Sequence, residues 1–131
     1  MRRVGPLRLR AERAILSLMA KYEELDEVFV ALADPTRRAV IRRLGRGPAS
    51  VSELAAPFPI TLPSFMKHIH YLESSGWITT HKTGRVRICT LEKKSFDLIE
   101  TWLNEQRNIW EERTDRLERF VTSTRDKEQS E

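Results

Sequence analysis

The side chains of this sequence that could do chemistry are mainly lysines and arginines, which favour nucleic-acid binding over catalysis. Residues 61–91 carry four cations and a single acid, Glu73, which leaves a local charge of +3. The four cations are Lys67, Lys82, Arg85 and Arg87. Lysine and arginine neutralise phosphates and supply the sequence-independent part of DNA binding. This concentration of positive charge predicts a surface that faces double-stranded DNA.

One predicted helix, which opens at Thr61, has an apolar face and a polar face. With Phe65, Ile69 and Leu72 turned inward, the other face carries groups that can hydrogen-bond base edges or phosphates. The DNA-binding candidates on this helix are Thr61, Ser64, Lys67, His68 and Tyr71. A contact of His68 with the core is the alternative for that residue. The helix is of a length and polarity that suit a major groove.

Two β-rich runs follow, residues 77–81 and 85–91, and a Lys-Thr-Gly sequence joins them. Short runs of this kind around a glycine predict a β-hairpin, the wing of a winged helix. Arg85 and Arg87 are two residues apart, so on a strand they project from one face. Together with Lys82 they are expected to grip the DNA backbone or enter a minor groove.

Four helices are predicted upstream of the wing from apolar spacing and from start and stop signals. The first covers Glu23–Ala33, and the second starts at the N-cap Asp34 and ends at Gly45. Ser50 caps a short third helix that carries a glutamate at the capping-box spacing. The fourth opens at Thr61. Together with the helix after the wing, these elements predict a mainly α protein with a small β-hairpin wing, in the order α-α-α-α-β-β-α.

The last third of the chain is predicted to be one long helix, residues 92–121, because it contains neither glycine nor proline. Apolar residues recur in it at heptad spacing, interrupted by Gln106 and Arg113. The candidates for a dimer interface are Phe96, Ile99, Trp102, Leu103, Trp110, Leu117 and Phe120. Packing on the protein's own core is the alternative. The length of the helix favours an interface in which long N- and C-terminal helices hold two copies together.

Four segments are therefore expected along the chain. They are a basic leader (1–22), a winged helix-turn-helix domain (23–91), a dimerisation helix (92–121) and a frayed polar tail (122–131). For the leader three roles stay open: an extra helix in the interface, an arm that contacts DNA, or a segment that precedes a true start at Met19.

Several stretches resemble the ArsR family of bacterial winged-helix repressors. They are Ala31–Leu44 (ALADPTRRAVIRRL), Ser52–Ala55 (SELA), Leu62–Ile69 (LPSFMKHI), Leu72–Glu73 and Gly76–Ile78 (GWI). The resemblance covers residues 25–121, and the final helix is similar to that of members with a C-terminal dimerisation helix. It implies a homodimer whose recognition helices enter successive major grooves of an imperfect palindrome and block transcription.

Other classes of function find little support in the residues. No glycine-rich phosphate loop or nucleophile elbow is present, and the neighbours Glu111 and Glu112 diverge on a helix, so no enzyme is expected. Family members that sense metals use a Cys-x-Cys pair or Asp/His clusters on the last helix. Residues 51–57 hold no cysteine and the final helix no histidine, so no metal and no cofactor are expected. Without an apolar span or a second cysteine besides Cys89, the chain is expected in the cytoplasm, associated with the nucleoid and not with membranes.

Two other functions remain open at this stage. A winged helix can serve protein–protein assembly with its DNA face unused. A regulator can also respond to a signal, either an unknown small-molecule effector that enters near Trp102 and Trp110 or oxidation of Cys89.

Overall fold

The protein is described here by a computed structural model that covers residues 5–130 and forms two compact units, one up to Phe96 and one from Asp97 onward. In chain order the elements are α1 (Pro6–Leu32), α2 (Pro35–Leu44), β1 (Ala49–Ser50), α3 (Val51–Ala55), α4 (Leu62–Ser74), β2 (Ile78–Thr83), β3 (Val86–Leu91) and α5 (Lys93–Gln129). The predicted fold class, a mainly α winged helix-turn-helix, is confirmed.

The first helix begins far earlier than predicted. It starts at Pro6, behind the N-cap Gly5, and continues to Leu32, whereas the sequence pattern placed its start at Glu23. No glycine or proline follows Pro6 within it, so nothing stops the helix at the predicted boundary. The described part of the basic leader is therefore helical, and residues 1–4 of that leader lie outside the described residues.

Three predicted helix starts are confirmed by their caps. The side chains of Asp34, Ser50 and Thr61 each accept a hydrogen bond from the backbone N–H three residues on, at 2.9, 3.1 and 3.3 Å. Each bond satisfies one of the N–H groups that the first turn of a helix leaves without a partner. Local side-chain chemistry thus sets where α2, α3 and α4 begin.

The wing belongs to a three-stranded antiparallel sheet in the order β1-β3-β2. The two-residue strand β1, which the sequence did not predict, pairs Ala49 with Cys89. Thr83 pairs with Val86, so the turn consists of Gly84 and Arg85. Gly84 has φ +64° at the first turn position, where glycine meets no steric penalty. The prediction that Arg85 lies on a strand is therefore wrong, because the turn falls later than expected.

The core of the first unit surrounds Trp77, which sits between α4 and the wing. Phe65, Ile69 and Leu72 of α4 are fully buried, as predicted. The Trp77 indole is also buried, and its Nε1–H donates to the Val28 carbonyl of α1 at 3.0 Å. The core therefore joins α4 to the last third of α1.

The last helix, α5, ends later than predicted. It continues to Gln129, whereas the pattern placed its end at Val121 and a frayed tail beyond it. The prediction of a frayed tail is thus wrong for 122–129, because these polar residues include no helix breaker and the Thr124 hydroxyl donates to the Phe120 carbonyl at 2.9 Å. Among residues 5–130, no helix is long and apolar enough to cross a membrane.

Candidate nucleic-acid interface

The first turn of α4 presents two hydroxyl groups. Thr61 caps the helix, and its hydroxyl donates to Ser64 Oγ at 2.9 Å while it accepts from the Ser64 N–H. Both residues are exposed. Backbone N–H groups at a helix N-terminus attract phosphate, and these two exposed hydroxyls lie beside them.

The exposed face of α4 carries Lys67 and His70. Both lie roughly opposite the buried row of Phe65, Ile69 and Leu72. Lys67 was a predicted contact. His70 was not among the predicted contacts, but it lies three residues from Lys67, on the same face of the helix. That spacing is the signal that could have placed His70 among the candidates.

The structure gives His68 and Tyr71 a different environment from the one predicted. Both are half-buried rather than fully outward. His68 Nδ1 lies 3.3 Å from an Arg37 guanidinium nitrogen and 3.7 Å from the Asp34 carboxylate. The Arg37 guanidinium carbon lies 4.5 Å from the centroid of the Tyr71 ring. Sequence reasoning missed Arg37, because no local pattern links α2 to a helix some thirty residues away.

The wing brings its cations to the same side as the start of α4. Lys82 pairs with Arg87 across the hairpin, and Arg87 donates to the Thr80 hydroxyl at 3.0 Å. Arg85 and Arg87 line a groove whose other walls come from β1, α3 and α4. Residues of α4 in that groove are Leu62 and Met66. The structure therefore brings two wing arginines next to the first two turns of α4.

The carboxylate of Asp34 has a lowered pKa. Burial alone would raise it, but the N–H of Arg37, the charges of His68 and Arg37 and the N–H of Thr36 together hold the pKa below the usual aspartate value. The ionised form of Asp34 is thus favoured by folding.

Asp34→Ala is expected to lower the free energy of unfolding by about 1–2 kcal/mol at neutral pH, since it removes an N-cap. The native carboxylate stabilises the fold above the unfolded aspartate pKa of about 3.9, and this stabilisation disappears as the pH falls through the lower folded pKa. Urea unfolding of wild type and Asp34→Ala from neutral to acid pH measures how the difference in unfolding free energy depends on pH. Asp34→Asn, which keeps a capping oxygen without the charge, is the control. A loss that is equally large at every pH would contradict the assignment.

Cys89 lies on the central strand of the sheet and is fully buried. Burial raises the pKa of its thiol, the charge of Glu73 adds to this effect, and Arg87 opposes it. A buried thiol with a raised pKa is a poor nucleophile. Within residues 5–130, no three His, Cys, Asp or Glu side chains are grouped closely enough to hold a metal ion.

Large apolar side chains are exposed along both terminal helices. Among the predicted interface residues of α5, Ile99 and Trp102 are half-buried, and Trp110 and Phe120 are 65% and 69% exposed. The other exposed members are Phe96, Leu103 and Leu117. On α1, exposed apolar residues continue the row that is buried at Leu25, and they include Leu7, Leu18 and Tyr22. On each of the two helices, these exposed apolar side chains recur along the chain rather than standing singly.

The helix pair α3–α4, the wing and the cations beside them define a winged helix-turn-helix protein of the DNA-binding type. Comparison with known proteins agrees, because a helix-turn-helix domain family matches residues 32–81. The HTH-type transcriptional regulator Rv2034 of Mycobacterium tuberculosis is 33% identical over 86 residues, which are 66% of this chain and 80% of that protein. The transcriptional repressor SdpR of Bacillus subtilis is 33% identical over 61 residues, 47% of this chain and 68% of that protein.

One solved structure is more similar still. The crystal structure of the ArsR family transcriptional regulator RHA00566 shares 66% sequence identity and superposes with a TM-score of 0.67, over 68% of this chain and 92% of that one. The chain belongs to the ArsR family of transcriptional regulators.

Proposed function

We propose that this regulator is a homodimeric repressor that binds a palindromic operator through α4 and the wing, and that it does so without a metal ion. The observation that carries the proposal is the shared groove in which Arg85 and Arg87 of the wing lie beside the first turns of α4. A helix that reads base edges needs nearby cations to hold the phosphates, because phosphate contacts set position and base contacts set sequence.

On α4 itself, the division of roles follows from exposure. Ser64 and Lys67 are exposed near the N-terminal half, where a recognition helix contacts base edges. Lys67 offers a cation to phosphate or guanine, and Ser64 can donate or accept. Lys82, Arg85 and Arg87 are proposed to hold the DNA backbone. Thr61 is proposed to contact a phosphate from the helix N-terminus.

Repression and metal independence rest on separate observations. The similar protein of Bacillus subtilis is named a repressor, which supports the same direction of regulation here. Within residues 5–130, the cysteine and the histidines do not converge on one point. Cys89 is buried in the sheet, His68 lies beside Arg37, and His70 and His81 are exposed on α4 and β2. A transition-metal site needs about four converging donors.

The test is a titration of duplex DNA from upstream of the protein's own gene, followed by fluorescence anisotropy at several salt concentrations. A scrambled duplex of equal length is the control. We expect a preference of about a thousandfold or more for the native duplex, with affinity that falls steeply as salt rises. Equal affinity for both duplexes would contradict an operator at that place. No binding even at low salt would favour a role in protein assembly.

The dimer is supported by the apolar rows of α1 and α5, and a charge placed in one of them tests it. Trp110→Glu is expected to weaken self-association by about a hundredfold or more, because an unpaired carboxylate would be buried in the interface. Sedimentation velocity over a range of concentrations measures this. Asn108→Glu adds the same charge on another face of α5 and should leave the dimer intact. A Trp110→Glu protein that stays dimeric would exclude this part of α5 from the interface.

A further inference from the structure

Arg37 of α2 satisfies carbonyl groups at the end of another helix. Its Nε donates to the Ala31 carbonyl at 2.9 Å, and its Nη2 donates to the Val30 carbonyl at 3.1 Å. Both carbonyls belong to the last turn of α1, where i+4 donors from the helix are lacking, and the Val30 carbonyl also accepts the backbone N–H of Ala33 at 3.1 Å. The side chain therefore binds the C-terminal end of α1, which is negative through the helix dipole.

The same guanidinium contacts the recognition helix at two positions one turn apart. It stacks on the Tyr71 ring at 4.5 Å and lies 3.3 Å from His68 Nδ1. The Arg37 backbone N–H meanwhile donates to the Asp34 cap at 2.9 Å. One residue thus joins the end of α1, the start of α2 and the flank of α4.

These contacts depend on the shape of the guanidinium as well as its charge. A planar fork with five N–H donors can bind two carbonyls and an imidazole in one plane while an aromatic ring lies against its face. A lysine ammonium keeps the charge but has neither the plane nor the fork. Arg38, the next residue, is exposed, and its side chain makes one described hydrogen bond, to the Leu32 carbonyl at 2.8 Å. It provides a matched control.

We propose that Arg37 is the positioning residue of the recognition helix: it fixes the orientation of α4 against the end of α1, with His68 and Tyr71 as its supports rather than as base readers. The inference rests on the proposed function, in which α4 reads an operator. Specific binding requires the base-reading side chains in register, whereas non-specific binding follows the phosphate charge and tolerates a rotated helix. Arg37 should therefore govern specificity more than overall affinity.

The experiment compares full-length Arg37→Lys with Arg38→Lys. Arg37→Lys is expected to lower affinity for the operator by at least about tenfold and to leave affinity for a scrambled duplex and the salt slope unchanged. Arg38→Lys should match wild type on both duplexes. Tyr71→Phe, which keeps the ring, should bind as wild type, whereas Tyr71→Leu should reproduce the loss of specificity.

A second measurement follows the helix without DNA. Residual dipolar couplings of backbone amides report the angle between α4 and α1, and we expect this angle to change in Arg37→Lys and not in Arg38→Lys. If the angle changes while wild type shows no operator preference, the proposed function fails and the positioning role stands. An unchanged angle overturns the inference. The inference is also overturned if Arg37→Lys has a lowered unfolding free energy but an unchanged preference for the operator. An equal loss of operator affinity in Tyr71→Phe and Tyr71→Leu would overturn it as well.

Discussion

Trp77→Ala is expected to lower the free energy of unfolding by about 3–5 kcal/mol, the usual range for truncation of a large buried aromatic side chain. The indole is 1% exposed and packs edge-on against Phe96, with ring centroids 4.9 Å apart. The substitution also removes the hydrogen bond that joins Trp77 to the Val28 carbonyl. Since marginal stability is typical of domains this small, the variant is expected to be largely unfolded at physiological temperature. Urea unfolding followed by circular dichroism measures the loss.

Two further substitutions make this prediction specific. Trp77→Phe keeps part of the packing but not the N–H donor, so its loss should lie between wild type and Trp77→Ala. Val86→Ala truncates an exposed apolar residue of β3 and should cost less than about 1 kcal/mol. A Trp77→Ala protein as stable as Val86→Ala would mean that the core does not depend on the indole.

Joint replacement of Lys82, Arg85 and Arg87 by alanine is expected to reduce DNA affinity by about a hundredfold or more at physiological salt. The slope of log affinity against log salt is negative, and each phosphate contact that is lost should make it shallower by about 0.9. Because backbone contacts carry no sequence information, affinity should fall for operator and scrambled duplexes alike. Anisotropy titrations at several salt concentrations give both quantities. Arg37→Lys, by contrast, is expected to lower affinity for the operator alone and to leave the salt slope unchanged.

The control removes the same charge elsewhere. Joint replacement of Arg119, Arg125 and Lys127 by alanine changes three exposed cations of α5 and should leave the slope as in wild type. Equal losses in both triple variants would show that net charge, and not the wing, governs affinity.

Much of the first unit could be predicted because local signals determine its elements. Asp34, Ser50 and Thr61 each bind an N–H within their own helix, so a few consecutive residues suffice to place a helix start. The buried row of α4 follows from helical spacing alone.

The rest depends on contacts between residues distant in the chain. β1 has only two residues and is defined by its pairing with β3, so it contains no run of β-forming residues from which it could be predicted. Arg37 contacts His68 and Tyr71 only after α2 and α4 have packed, so the half-buried positions of these two residues could not be predicted from the pattern of α4 alone. The turn at Gly84 and Arg85 depends on strand register, which the types of residue in the wing leave open.

The exposed apolar rows of α1 and α5 have a consequence for how a cell could use this regulator. In the proposed dimer, the amount of DNA-binding species at low concentration rises with the square of the amount of chain, because two copies must meet to cover those rows. A twofold rise in synthesis then gives up to about a fourfold rise in active repressor. Such a regulator would respond to its own dosage more sharply than a monomer of equal affinity, and its melting temperature would rise on concentration.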